Sequence, residues 1–216
     1  MIKKKGSQYQ IANFIPVIGI VIFVGLYIFS STLYPGGSQA NLNSEGFDWI
    51  NNYWCNLMNE KGMNGQPNPA KPYSIIAMII LCLSLMFFFI QFAQIYSKSK
   101  IWKRIIKTSG IISMSFAILI FTKYHDLMTT LSSIFGLFVV IGIIREIYKS
   151  KLSIYKITGV ICILILGLNN YIYYTQQFIE VLPLLQKITF AIVLLWIIGL
   201  NFEMNKRKIK IGAKHN

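Results

Sequence analysis

The sequence is poor in acidic residues and in histidine. Its 216 residues include only seven Asp and Glu and two His, against 21 Lys and Arg, so the formal net charge is +14. Charged residues make up 13% of the chain, about half of the ~25% typical of soluble domains. A hydrophobic content of 55% leaves too little polar surface for the soluble nucleic-acid-binding protein that such a positive charge would otherwise suggest. These shortages predict an integral membrane protein that does not bind nucleic acid.

The chain also lacks the common motifs of catalysis and metal binding. Cys55, Cys82 and Cys162 have no CxxC spacing, and the GxSxG, HExxH and P-loop motifs are absent. A zinc site needs three or four His, Cys or carboxylate ligands, whereas His125 and His215 are predicted to lie on opposite sides of the membrane. The sequence therefore predicts no metal site and no cofactor.

What the chain does have is long apolar runs. A membrane-spanning helix needs about 20 mostly apolar residues, and six stretches meet that length: residues 14–33, 73–96, 105–122, 127–144, 154–174 and 182–202. We therefore predict an all-α fold, with residues 1–216 forming one integral membrane domain of six helices. The first run is longer than the 7–15 residues of a signal-peptide core. We favour an uncleaved helix there, although residues 38–40 (Ser-Gln-Ala) are a weak cleavage site.

The basic residues predict the orientation of the helices. Six crossings place seventeen of the 21 Lys and Arg on the side of the two termini, in the segments 3–5, 98–107, 145–156 and 206–214. The opposite side receives only Lys61, Lys71, Lys123 and Lys187. Because cytoplasmic loops attract Lys and Arg, we expect both termini to be cytoplasmic. We expect the protein to lie in the inner membrane with membrane lipids as its partners, and the sequence identifies no protein partner.

The first outer loop, residues 35–72, is the longest connection at 38 residues. Loops of this length are usually functional or disordered, and aromatic residues such as Phe47, Trp49, Tyr53 and Trp54 argue against disorder. Residues 47–54 are predicted either to form a short interfacial helix that takes part in a site or to serve only as an aromatic anchor.

Polar side chains are concentrated in the outer halves of the spans, where they are costly and informative. Some of these polar side chains recur at helical spacing and so share one face of a helix; one such stripe runs from Tyr27 through Ser30 and Ser31 to Tyr34. If the stripes of different helices converge, they predict a polar vestibule that is open to the outside. The pocket candidates are Trp49, Asn52, Tyr53, Thr129, Thr130, Asn169, Asn170 and Tyr173. Asn169 has a second interpretation, as a hydrogen-bonding residue between helices.

His125, Asp126 and Asp48 are the candidates for acid–base chemistry, because histidine titrates near neutral pH. The alternative is that His125 and Asp126 only solvate a tight turn at the start of the fourth helix. The sequence thus leaves three hypotheses: a protein that binds or senses a small molecule or lipid, a lipid hydrolase that uses these three residues, and, with less support, a transporter, since no inverted repeat is visible.

The first outer loop also carries a family resemblance. The runs Tyr34-Pro35-Gly36-Gly37, Gly46 to Leu57 (GFDWINNYWCNL) and Asn68-Pro69-Ala70, with His125 at the outer start of the fourth span, resemble a bacterial six-pass family catalogued as domain of unknown function nine-nine-eight. That family is distantly similar to the damage-regulated autophagy modulator group. The resemblance implies a six-helix fold with an outer-face site and no established activity. The chain departs from the family pattern at residues 54–58, where an acidic residue is missing.

Overall fold

The computed structural model describes residues 13–148 and 150–212, with the backbone alone for 210–212. It contains six long helices: α1 (Ile15–Thr32), α2 (Lys71–Tyr96), α3 (Lys100–Ile118), α4 (His125–Ile147), α5 (Ser153–Thr175) and α6 (Leu182–Gly212). Three short 3-10 helices span Trp54–Met58, Leu119–Phe121 and Ile179–Val181. The all-α prediction is confirmed, and six helices are long and apolar enough to cross a membrane.

Two helices extend well beyond the apolar runs that predicted them. Helix α3 begins at Lys100, and α6 continues to Gly212. Main-chain hydrogen bonds of a helix do not stop where the apolar sequence stops, so the apolar pattern marks only the part of each helix that suits the hydrocarbon. Helices α1 and α2 both carry proline in their first turn, where its missing N–H costs nothing.

Helix α2 is the centre of the bundle. It contacts α1, α3, α4 and α6, whereas α5 packs only at the edge, against α4 and α6. Its side chains Phe88 and Phe92 are fully buried. The outer faces of the other helices expose large apolar side chains such as Leu164 and Leu195, which is the arrangement expected of helices that face lipid.

Helices α3 and α4 form an antiparallel hairpin through small residues. The Ser113 hydroxyl donates a 2.8 Å hydrogen bond to the main-chain carbonyl of Ser132, and a Cβ at Gly136 would lie 3.4 Å from the Ser113 hydroxyl oxygen. The spacing of Ser109, Ser113 and Ala117, together with Ser132 and Gly136, predicts this contact. That prediction is confirmed, because small side chains let two helix backbones approach closely.

The two ends of the bundle differ in charge. At the end of the bundle where α1 begins and α6 ends, the Lys208 ammonium donates to the side-chain oxygens of Gln91 (2.8 Å) and Asn13 (2.5 Å). We call this the terminal end, and the opposite end, with the long first loop, the loop end. The basic segments 98–107 and 145–156 comprise the α2–α3 and α4–α5 connections and the helix ends next to them, at the terminal end. Lys3, Lys4, Lys5, Lys149 and Lys214, which contribute to the orientation argument, and His215 lie outside the described residues.

Candidate functional site

The loop between α1 and α2 is held together by its own hydrogen bonds. Main-chain bonds join Gly37 to Ser44 (2.7 Å) and Asn64 to Gly36 (3.2 Å). The Asn68 amide donates to three main-chain carbonyls within 3.3 Å. Gly36 and Gly37 have φ values of 128° and 82°, a region that only glycine enters easily. The loop is therefore a built structure rather than a loose connection.

The predicted interfacial helix over residues 47–54 is wrong. The chain makes a single turn at Asp48, whose carboxylate accepts the main-chain N–H groups of Ile50 (2.9 Å) and Asn51 (3.1 Å) and the Asn51 amide (2.8 Å). Burial raises the pKa of Asp48, but these hydrogen bonds outweigh it and hold the pKa below its usual range. Because an aspartate that bonds the following N–H groups favours a turn over a continuing helix, the 3-10 helix begins only at Trp54.

Asn52 fixes this turn to the rest of the loop. Its side chain is fully buried, accepts the Asp48 N–H at 2.8 Å and donates to the Gly37 carbonyl at 2.9 Å. Both ends of the amide are thus committed to the loop backbone. Asn52, predicted as a pocket residue, has a structural role here.

The loop is attached to α6 by two polar contacts. The Lys187 ammonium donates to the carbonyls of Asn52 (2.5 Å) and Pro183 (2.9 Å) and lies 5.7 Å from the centre of the Phe47 ring. The main-chain N–H of Trp54 donates to the Gln186 side chain at 3.1 Å. Neighbouring residues of one helix therefore hold two points of the loop.

An aromatic cluster lies beneath the loop, formed by Phe23, Tyr27, Trp54 and Phe190; we call it the covered cluster. Ring centres are 4.8 Å apart for Tyr27 and Trp54, and 5.1 Å apart for Trp54 and Phe190. Tyr27 is only 1% exposed, and Ser30, one helical turn further along α1, is fully buried. The polar stripe on α1 is thus roofed by the loop, and the expectation that it lines an open vestibule is wrong.

Three polar groups at the covered cluster have no hydrogen-bond partner among the described residues. They are the Tyr27 hydroxyl, the Ser30 hydroxyl and the Trp54 indole N–H. Buried polar atoms in folded proteins are nearly always paired with protein, water or a ligand. Eight buried side-chain N and O atoms of the described residues are unpaired, and two of these three belong to the contacting rings of Tyr27 and Trp54, which makes this part of the bundle a candidate binding site.

Cys55 lies in the 3-10 helix Trp54–Met58, next to Trp54 of the covered cluster. Burial raises the pKa of its thiol to about 11; the nearby Asp126 carboxylate adds to the rise, and the nearby Lys187 ammonium opposes it. The thiol is therefore protonated at neutral pH, and a protonated thiol is a poor nucleophile.

His125 and Asp126 form a second polar group at the loop end. The His125 Nδ1 lies 2.9 Å from the Asp126 carboxylate, which accepts a 2.7 Å hydrogen bond from the Tyr173 hydroxyl of α5. Thr130 and Tyr174 pair at 2.7 Å beside them. Three-quarters of the Asp126 side chain is exposed. Sequence reasoning selected His125, Asp126, Thr130 and Tyr173, and the structure brings these four together.

Asp48 does not join this group. Its hydrogen bonds run within the loop, and over residues 13–148 and 150–212 Asp126 is the one carboxylate within 4.0 Å of His125. In the same part of the chain, no three His, Cys, Asp or Glu side chains come close enough to hold a metal ion. The arrangement can bind a proton or a hydrogen-bonding ligand, but it lacks the paired carboxylates that the hydrolase hypothesis requires.

The remaining predicted pocket residues are dispersed. Trp49 is exposed on the loop, where its ring packs against Phe47 at 5.3 Å, and Tyr53 precedes the 3-10 helix and is half-buried. Asn169 donates to Thr189 of α6 at 2.7 Å, so its interpretation as a residue that bonds between helices is confirmed. Asn170 bonds a carbonyl of its own helix, and the Thr129 hydroxyl is buried without a partner among the described residues.

Trp54, Gln186 and Lys187 are the residues of the site that sequence reasoning did not select. Their contacts join positions more than 130 residues apart, which no local spacing reveals. The available signal was Lys187 itself, a lysine close to the start of an apolar run, since an ionisable residue within a span marks function by default.

No known family model, curated protein or solved structure matches this chain. The site must therefore be interpreted from its own geometry.

Proposed function

We propose that this chain is a multi-pass membrane protein that binds a small molecule at the covered cluster, with the loop end facing the outside of the cell. The single observation that supports it is the set of unpaired atoms on Tyr27, Ser30 and Trp54. A buried polar group without a partner costs about 1–3 kcal/mol, and a bound molecule that pairs with the Tyr27 hydroxyl would remove that cost for this group. The resemblance of the loop to the six-pass family agrees with a site on this face, and membership of that family remains part of the proposal.

The lipid-hydrolase hypothesis has the weaker support. It rests on the contact of His125 with Asp126 and Tyr173, whereas Asp48, its third residue, is committed to the loop. General acid–base catalysis needs groups within hydrogen-bonding reach of one substrate. A binding or sensing function needs no such pair, and we place it first.

The test is the mass of the intact protein together with whatever it carries. Native mass spectrometry of the chain purified in mild detergent should reveal a non-covalent adduct of defined mass. Replacing Tyr27 by Phe removes one hydrogen bond and keeps the ring, so the bound fraction should fall about threefold to tenfold. Tyr124→Phe is the matched control, because Tyr124 lies at the same end of the bundle with its side chain exposed.

Two outcomes would contradict the proposal. In the first, the wild-type protein carries no adduct and the Tyr27→Phe variant is about 1–2 kcal/mol more stable than the wild type. That gain is expected when an unpaired buried hydroxyl is simply removed. The other is an adduct that persists unchanged in Tyr27→Phe, which would place the ligand elsewhere in the molecule.

A further inference from the structure

We propose that the first two turns of α3 bind the headgroup of an anionic phospholipid in the leaflet at the terminal end. The four basic side chains that would hold it line adjoining grooves, and we call them the basic face: Lys100, Lys103, Arg104 and Lys107. This site lies at the opposite end of the bundle from the covered cluster. The proposal is therefore independent of the ligand proposed there.

Two open grooves lie beside these side chains. The larger has a volume of about 470 Å³ and is lined by the whole basic face together with Thr108. The smaller has a volume of about 270 Å³ and is lined by Lys100, Ile101, Arg104 and Ile105. Cations and apolar side chains around one groove suit a ligand that is charged at one end and apolar at the other. A phospholipid has both parts, whereas a free phosphate ion has only the first.

The basic face lies on the exposed side of α3. Lys100, Arg104 and Lys107 recur at helical spacing and are exposed. The exposed side continues with Ile112 and with Ser115, whose hydroxyl donates to a carbonyl of its own helix. Lys107 lies about 10 Å from Lys100 along the helix axis, and long basic side chains can extend their charged ends from that depth to the headgroups. The basic face is thus placed where lipid headgroups would meet the helix.

The basic face has no counter-charge in contact. Within residues 13–148 and 150–212, no carboxylate lies within 4.0 Å of its charged groups. The acidic residues of the terminal end are paired elsewhere, Glu146 with Arg145 at 2.8 Å and Glu203 with Lys206 at 2.7 Å. Neighbouring like charges repel one another, so an anion among them is stabilising. A phosphate group suits both kinds of side chain, because arginine binds it through two parallel hydrogen bonds and lysine as a point charge.

Topology alone does not account for this grouping. The orientation of a span depends on how many Lys and Arg lie near its ends, and not on which side of the helix they occupy. Trp102, between Ile101 and Lys103, adds a second feature of a headgroup contact, because tryptophan is enriched at the level of the headgroups. Its ring lies 4.7 Å from the Arg145 guanidinium of α4, which fixes it beside the basic face.

The experiment measures thermal unfolding of the full chain in neutral detergent micelles with three probes: phosphatidylglycerol, phosphatidylcholine with the same acyl chains, and inorganic phosphate, all at matched ionic strength. Phosphatidylglycerol should raise the midpoint of unfolding in a saturable manner, because a ligand that binds only the folded state stabilises it. The other two probes should not. Arg104→Gln should raise the half-saturating concentration of phosphatidylglycerol about fivefold, and Arg104→Gln with Lys107→Gln should raise it about tenfold or more.

Lys151→Gln with Lys156→Gln is the matched control. It removes the same charge from the same end of the bundle, at the α4–α5 connection and the start of α5, and should leave the half-saturating concentration nearly unchanged. The single variant Arg104→Gln carries the test if the double variant at Arg104 and Lys107 fails to fold.

Four results would overturn the proposal. Phosphatidylcholine could match the effect of phosphatidylglycerol, which would remove any role for the anionic headgroup. Inorganic phosphate alone could raise the midpoint, which would make the ligand a free anion. The control could lose as much affinity as the double variant of the basic face, which would leave only diffuse attraction to a basic end. Finally, the variants of the basic face could respond to phosphatidylglycerol as the wild type does.

Discussion

Asn52 shows at the scale of a single residue how the roof of the site is built. Its amide accepts from the Asp48 N–H and donates to the Gly37 carbonyl, while Lys187 donates to its main-chain oxygen. Replacing Asn52 by Leu would leave a buried donor and a buried acceptor unpaired. Each unpaired group costs about 1–3 kcal/mol, so we expect the free energy of unfolding to fall by about 2–4 kcal/mol, measured by chemical denaturation in detergent.

Asn43→Leu is the control for that prediction, because Asn43 is exposed in the same loop and surface changes of this kind stay within about 0.5 kcal/mol. Equal losses in the two variants would mean that the buried amide does not organise the loop. A loss confined to Asn52→Leu, accompanied by a smaller fraction of protein that carries the bound adduct, would tie the order of the loop to the site beneath it.

At the scale of the helices, the close packing of α1 on α2 positions Tyr27. A Cβ at Gly19 would lie 1.8 Å from the Ser84 hydroxyl oxygen and 2.5 Å from the Ser84 Cβ, whereas a Cβ at Gly25 would meet nothing within 4 Å. Gly19→Ala should therefore destabilise the protein by about 1–3 kcal/mol through overpacking. Gly25→Ala on the same helix should be neutral or slightly stabilising because alanine favours helix. Thermal unfolding of both variants checks this, and a Gly19→Ala protein as stable as the wild type would contradict the close contact.

The helical elements were largely predictable from the sequence, and the site was only partly so. Long apolar runs identify spanning helices, and the spacing of Ser113, Ser132 and Gly136 predicts the α3–α4 hairpin, because both signals are local. The roof of the covered cluster depends on the contacts of Trp54 with Gln186 and of Lys187 with Asn52, which cross more than 130 residues. The polar turn at Asp48 also replaced a predicted helix, since side-chain hydrogen bonds there outweighed the apolar spacing.

At the scale of the whole molecule, charge and site lie at opposite ends of one bundle. Basic segments connect helices at the terminal end, while the loop end holds the covered cluster and the His125–Asp126 pair. Since Lys and Arg are retained in the cytoplasm, we expect the loop end to face outward, and the ligand to reach the covered cluster from that side. The abundance of basic residues then reflects topology rather than binding of a polyanion.

The orientation of the loop end is tested most directly by cysteine labelling from the outside of intact cells. Asn43→Cys places a thiol on the exposed surface of the loop, and Lys151→Cys places one on an exposed part of the α4–α5 connection at the terminal end. The native Cys55 should contribute little background labelling, because the pKa of its thiol is raised to about 11. A membrane-impermeant maleimide should label Asn43→Cys on intact cells and Lys151→Cys only after the membrane is opened. Labelling of Lys151→Cys on intact cells, with Asn43→Cys protected, would invert the topology and contradict a site that faces outward.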